Sequence, residues 1–171
     1  MKELLVVVDM QNDFINGALG TAEALKIVPK VCEKIRSFDG NVVCTRDTHG
    51  ENYAKTQEGR NLPVTHCVKD TDGWQIQDEV YTEACKKGAI IIDKPSFGSV
   101  ELAETAKLGG YGKITLVGLC TDICVISNAM ILKAFLPETE IAVEKELCAG
   151  VTPKSHETAL EAMKMCQIKI V

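Results

Sequence analysis

Several absences narrow this chain before any residue is singled out. No lysine- or arginine-rich block occurs, and the formal charge is -5 with acidic and basic residues interleaved, so nucleic acid is not an expected partner. No apolar run approaches the roughly 20 residues that a membrane-spanning helix needs. The run Leu4 to Val8 is short, has no small-residue cleavage site after it, and reads as a buried strand. Eight cysteines are present, yet no CxxC pair or zinc-ribbon spacing connects them. With no export signal either, the expectation is a cytoplasmic protein whose cysteines are mostly reduced, buried and apolar in character. Internal repeats, low-complexity tracts and linkers are also missing.

What remains is a globular composition, 46% hydrophobic and 25% charged over 171 residues. That length suits one domain, residues 1–171, with a substantial core. Short valine- and isoleucine-rich runs recur at Leu4–Val8, Val42–Thr45, Ala89–Ile92, Ile114–Val117, Glu140–Val143 and Ile168–Val171. Helical patterns lie between them, at Ala22–Phe38, Val100–Lys107, Asp122–Phe135 and Pro153–Met165. Thr152 followed by Pro153 is a good start for the last of these. Strands apolar on both faces, alternating with helices, predict an α/β fold with a mostly parallel six-stranded sheet covered on both sides. Ligands in such folds bind beyond the carboxyl ends of the strands. Residues 46 to about 75 show no period, and structureless stretches of that length are often functional.

The reactive side chains fall at predicted strand ends. Asp9 follows the first strand, Asp47 and His49 the second, Lys94 the third, and Cys124 lies shortly past the fourth. Parallel strands would gather all of them on one edge of the sheet. Thr121 or Asp122 is expected to cap the next helix and place Cys124 in its first turn, where free amides and the helix dipole favour a thiolate. A packing cysteine and a nucleophile both fit that position. Asp9 could serve as a turn cap, or as a carboxylate of raised pKa that takes a thiol proton. Lys94 could be a solvated lysine, or the charge that compensates Asp9. Asp47, His49, Glu58 and His66 offer oxygen and nitrogen donors suited to zinc, iron or manganese, although loop histidines are commonly solvated. His156 reads as a surface residue.

These segments together resemble the isochorismatase-like cysteine hydrolases, and among them the nicotinamidases, over essentially the whole chain. Val7-Val8-Asp9-Met10-Gln11-Asn12-Asp13-Phe14 is similar to the family's opening motif, Lys94 with Phe97-Gly98-Ser99 to its lysine segment, and Gly118 to Val125 to its nucleophile segment. The resemblance implies a three-layer α/β/α sandwich and a catalytic set of Asp9, Lys94 and Cys124. It also implies a cis peptide at Leu119-Cys120 and an oxyanion hole from the backbone amides of Cys120 and Cys124. A divalent metal, zinc in the first place with iron or manganese as alternatives, would be held by Asp47, His49, Glu58 and His66. Phe14 and Phe97 would flank a flat ring, and the activity implied is hydrolysis of nicotinamide to nicotinic acid and ammonia in a homo-oligomer. Two departures stand out: Lys55 occupies the place of a third histidine, and Pro63 that of an aromatic residue. A metal-independent amidase for another small amide or carbamoyl compound is the nearest alternative, and a catalytically silent binding module the more distant one.

Overall fold

The computed structural model describes all 171 residues. Its centre is one sheet of six strands, all parallel: β1 (Glu3–Val8), β2 (Asn41–Asp47), β3 (Ile90–Lys94), β4 (Lys113–Leu119), β5 (Glu140–Ala149) and β6 (Lys169–Ile170). The spatial order is β3-β2-β1-β4-β5-β6. The chain therefore winds outward from β1 in one direction, then returns to its other side at β4. The crevice between the ends of β1 and β4 is the switch point at which such folds bind ligands.

Period-two alternation along β1 divides the core. Leu4, Val6 and Val8 belong to an apolar cluster under α5 (Val100–Gly109), α6 (Ile126–Phe135) and α7 (Pro153–Met165). Leu5 and Val7 belong to a second cluster, under α2 (Ala22–Ser37) and α4 (Asp78–Lys86). Helix α2 presents Ala24, Ile27, Val28, Val31, Cys32 and Ile35 at three- and four-residue spacing, and Thr21 caps it by accepting from the Ala24 N–H. Helix α7 starts where the sequence places it, with Pro153 in its first turn and a reciprocal Thr152–Ser155 capping box. No helix is long and apolar enough to cross a membrane.

The structure departs from the sequence reading in three places. The aperiodic stretch after β2 is ordered, with a 3₁₀ turn at Tyr53–Lys55 and the short helix α3 at Gln57–Asn61. Its stability comes from distant partners: Asp13, in the short helix α1 (Asn12–Ile15), accepts from the Cys67 N–H at 2.7 Å. Gly73 lies so close to that carboxylate that a Cβ there would stand 2.2 Å from Asp13 Oδ2. Helix α4 escapes a periodicity reading because only Val80, Glu83 and Ala84 are buried on it, and glutamine rather than serine or threonine caps it. The segment Asp122–Phe135 is two elements, a π turn at Thr121–Val125 followed by α6.

Candidate active site

Four strand ends and the π turn converge on the crevice. Gly118, with φ +114°, lets β4 run against β1; a Cβ there would meet the Val8 carbonyl oxygen at 2.2 Å. The next peptide, Leu119-Cys120, is cis, at the position implied by the family resemblance. The backbone then turns through Thr121–Val125 and delivers Cys124, which is buried. Neither Thr121 nor Asp122 caps this turn. The Thr121 hydroxyl lies 2.8 Å from His156 Nδ1, and both Asp122 oxygens receive the Val151 N–H. His156, expected at the surface, is thereby drawn into a half-buried contact beneath the turn.

Lys94, fully enclosed at the end of β3, is the hub of the cluster. Its Nζ lies 2.7 Å from Asp9 Oδ2 and donates to Cys124 Sγ at 3.4 Å, Asp47 Oδ1 at 3.4 Å and the Ser96 carbonyl at 3.0 Å. Burial works against the ammonium, but the charges of Asp9, the Cys124 sulfur and Asp47 outweigh it and raise the Lys94 pKa. Asp9 sits in a left-handed conformation (φ 46°), which brings its side chain back toward the sheet edge. Burial, reinforced by Asp47 and opposed by Lys94, raises the Asp9 pKa above the ordinary 3.8. Its Oδ2 is held by the Lys94 ammonium as a buried ion pair.

Helix position, which favours a thiolate at Cys124, is opposed by the surroundings of the sulfur. Burial first, then the Asp9 carboxylate, push the thiol well above its ordinary 9.0, and Lys94 offsets this only in part. Burial also pushes Cys120 up, to about 12. What sets Cys124 apart is contact with an ammonium that also holds the Asp9 carboxylate.

Asp47, His49, Glu58 and His66 bring their donor atoms within 4.8 Å of one another. His49 Nε2 is 2.8 Å from Asp47 Oδ2 and 3.5 Å from Glu58 Oε1. His66 Nε2 is 3.5 Å from the same Asp47 oxygen and 3.7 Å from the same Glu58 oxygen. His66 Nδ1 lies 2.7 Å from the Val64 carbonyl. A carbonyl can only accept, so Nδ1 carries a proton and Nε2 is the nitrogen that faces the cluster, the orientation usual for a histidine that binds a metal. The buried Tyr53 ring packs 4.7 Å from His49 and 5.0 Å from His66, which fixes both imidazoles. Two carboxylates and two imidazoles with converging atoms fit a divalent cation of the zinc, iron and manganese group.

Both groups open onto one cavity of about 190 Å³, smaller than the roughly 300–1,000 Å³ pockets that take drug-sized ligands. Asp47, Glu58, His66, Cys120 and Cys124 line it together with Phe14 and Phe97, and its remaining wall is mostly aliphatic. Phe14 is buried, whereas Phe97 is 41% exposed at the mouth. The Cys120 N–H donates to no group within the chain. Trp74 lines no part of the cavity; its Nε1–H donates to Thr48 Oγ1 at 2.8 Å, and the Arg46 guanidinium stacks 3.6 Å from its ring.

Residues not singled out from the sequence complete the site. Gln11 holds Asp47 by its backbone, accepting from its N–H at 2.7 Å and donating to its C=O at 2.8 Å. Asn128 donates to the Cys124 carbonyl at 2.8 Å and accepts from the Ser99 N–H at 2.9 Å, tying α6 to the loop after Lys94. Thr45 donates to Asp9 Oδ1 at 2.6 Å. A buried amide on an otherwise apolar helix, and polar residues directly after or within apolar strands, were the available signals.

Comparison with known proteins gives a consistent picture. The Isochorismatase domain model matches residues 3–171. The nicotinamidase/pyrazinamidase of Mycobacterium tuberculosis is 27% identical over 183 residues, spanning 98% of this chain and 97% of that protein. The nicotinamidase of Saccharomyces cerevisiae is 24% identical over 212 residues, spanning 98% of each. Among solved structures, the pyrazinamidase of Pyrococcus horikoshii in complex with zinc superposes with a TM-score of 0.83 at 33% identity, covering 100% of this chain and 99% of that one.

Proposed function

The chain belongs to the isochorismatase family and is a hydrolase of amide carbon–nitrogen bonds, and on that footing we propose that it converts nicotinamide to nicotinic acid and ammonia through a cysteine nucleophile. The observation that carries this reading is a thiol and a buried carboxylate sharing one ammonium at the edge of a small apolar cavity.

Cys124 Sγ attacks the amide carbon while Asp9 Oδ2 takes the thiol proton. The backbone N–H groups of Cys120 and Cys124 receive the negative charge that develops on the carbonyl oxygen. Asp9 then passes its proton to the departing nitrogen, the C–N bond breaks, and ammonia leaves a thioester on Cys124. Water attacks the thioester carbon with Asp9 again accepting a proton. The C–S bond breaks, the sulfur recovers the proton, and the carboxylic acid departs. Throughout, Lys94 compensates the charge shared by Asp9 and the sulfur. Phe14 and Phe97 are assigned to flank the flat ring. Asp47, His49, Glu58 and His66 would hold a divalent ion, zinc in the first place, and such an ion supplies a Lewis-acidic position for a ring nitrogen.

The test is ammonia release from nicotinamide by the metal-loaded protein. Cys124→Ala is expected to lose at least about 10⁴-fold in kcat; a variant that keeps full activity overturns the scheme. A second reading, another small amide as substrate, is favoured by one observation. Pro63 stands where the resemblance leads one to expect an aromatic residue, and its neighbour Leu62 lines the cavity with an aliphatic side chain. A panel of small amides, ranked by kcat/KM, separates the two.

A further inference from the structure

Asp9 has two carboxylate oxygens in different circumstances. Oδ2 lies 2.7 Å from the Lys94 ammonium, while Oδ1 receives the Thr45 hydroxyl at 2.6 Å. The same hydroxyl oxygen accepts from the Asp9 N–H at 3.3 Å, and the Thr45 carbonyl accepts from that N–H at 3.2 Å. Thr45 is fully buried in β2, among the apolar residues Val42, Val43 and Cys44. Its hydroxyl thus closes a ring through the backbone and side chain of one residue, whose left-handed backbone departs from the extended course of β1.

We propose that Thr45 is a positioning residue for Asp9: it engages one carboxylate oxygen so that the other stays directed at the Cys124 thiol. The inference rests on the function proposed above, in that Asp9 is taken as the base. A carboxylate turns about its terminal bond with little resistance, and the Lys94 ammonium beside Asp9 Oδ2 also touches the Cys124 sulfur. Without an anchor on Oδ1, the carboxylate could turn and carry Oδ2 away from the place it shares with the sulfur. Period two in β2 places Asp47 on the same side of the strand as Thr45. One strand end therefore holds the base through a side chain and offers a metal donor two residues later. The chain just past the neighbouring β1 returns the arrangement: Asp9 is held by Thr45, and Gln11 holds the Asp47 backbone.

The test compares Thr45→Val, which keeps the shape and loses the hydroxyl, with Thr45→Ser, which keeps the hydroxyl. Two rates are measured on metal-loaded protein: ammonia release from nicotinamide, and alkylation of Cys124 by iodoacetamide without substrate, followed by mass spectrometry. Thr45→Val is expected to lower kcat by about 10- to 100-fold with KM nearly unchanged, and to slow alkylation similarly. Thr45→Ser should return both to within about threefold of the unaltered protein. If Thr45→Val does not fold, Thr45→Ala takes its place in the same comparison. Equal rates in all variants, or a serine variant as impaired as the valine one, overturn the proposal. A loss confined to metal content, with alkylation unchanged, also overturns it and assigns Thr45 to the metal donors. An unaltered protein that releases no ammonia from nicotinamide rejects that substrate alone, since alkylation still decides the role of Thr45.

Discussion

The two halves of the site are built by different means. Asp9, Lys94 and Thr45 stand at or just beyond the ends of parallel strands, and Cys124 stands one turn past another, so sheet register sets their separations. His49, Glu58 and His66 stand on the irregular segment between β2 and α4, where no ladder holds them. That segment depends on scattered contacts, among them Asp13 to the Cys67 N–H, an isolated bridge between His49 and Val68, and the Tyr53 hydroxyl to the Leu62 carbonyl at 2.9 Å. The difference teaches that the nucleophile side should resist local perturbation, whereas the donor side should be lost piecemeal.

The sharpest way to break this contrast is Lys94→Met, because Lys94 touches both halves. It leaves two buried carboxylates without their cation, and breaking such a pair costs about 3–5 kcal/mol. Denaturant unfolding should show that loss, and turnover should vanish with it. Next in size is His66→Ala together with metal removal by a chelator. Both are expected to raise KM and open residues 48–77 to proteolysis, while hydrogen exchange in β1 and β4 stays slow; fast exchange throughout would show that the halves are not separable. A third measurement concerns pH. Asp9 must be unprotonated to accept the thiol proton, and its pKa is raised chiefly by burial. Alkylation of Cys124 should therefore fall toward acid with a midpoint above 3.8, the base being lost as it protonates; a midpoint at or below that value would remove Asp9 from the role. Smaller again is Asp13→Ala, which strands the buried Cys67 N–H and should cost about 1–3 kcal/mol, seen first as proteolysis of the donor segment. Thr152→Ala, at a residue that lines no part of the cavity, should cost about 1 kcal/mol through its cap and leave kcat unchanged.

The same contrast explains how much could be read from the sequence. Strands and the large helices were legible because their signals are local: β-branched runs for β1 and β4, Thr152-Pro153 for α7, a three-and-four spacing for α2. Strand ends then indicated which reactive residues would meet. The 3₁₀ turn and α3 were not legible, since their order is imposed by Asp13 and by Thr56, which caps α3 by accepting from the Gly59 N–H at 3.0 Å. The capping role given to Thr121 and Asp122 failed for a related reason. Both side chains have better-placed partners on the segment after β5, far along the chain. Nor could Thr45, Gln11 or Asn128 be weighted, because a polar residue in an apolar run reveals its purpose only when its partner is known.

Strand order has one more consequence, for how the molecule is made. β1 is made before the other five strands of the sheet and pairs on one side with β2, the next, yet its other neighbour is β4, more than a hundred residues later. Through much of synthesis a strand made almost wholly of leucine and valine keeps a row of unpaired backbone groups open to whatever arrives. A nascent chain halted near residue 109 should associate with chaperones or with other copies of itself, visible as rapid sedimentation, and release of the full-length chain should suppress it. The crevice that gathers the reactive groups is, during birth, an unsealed seam.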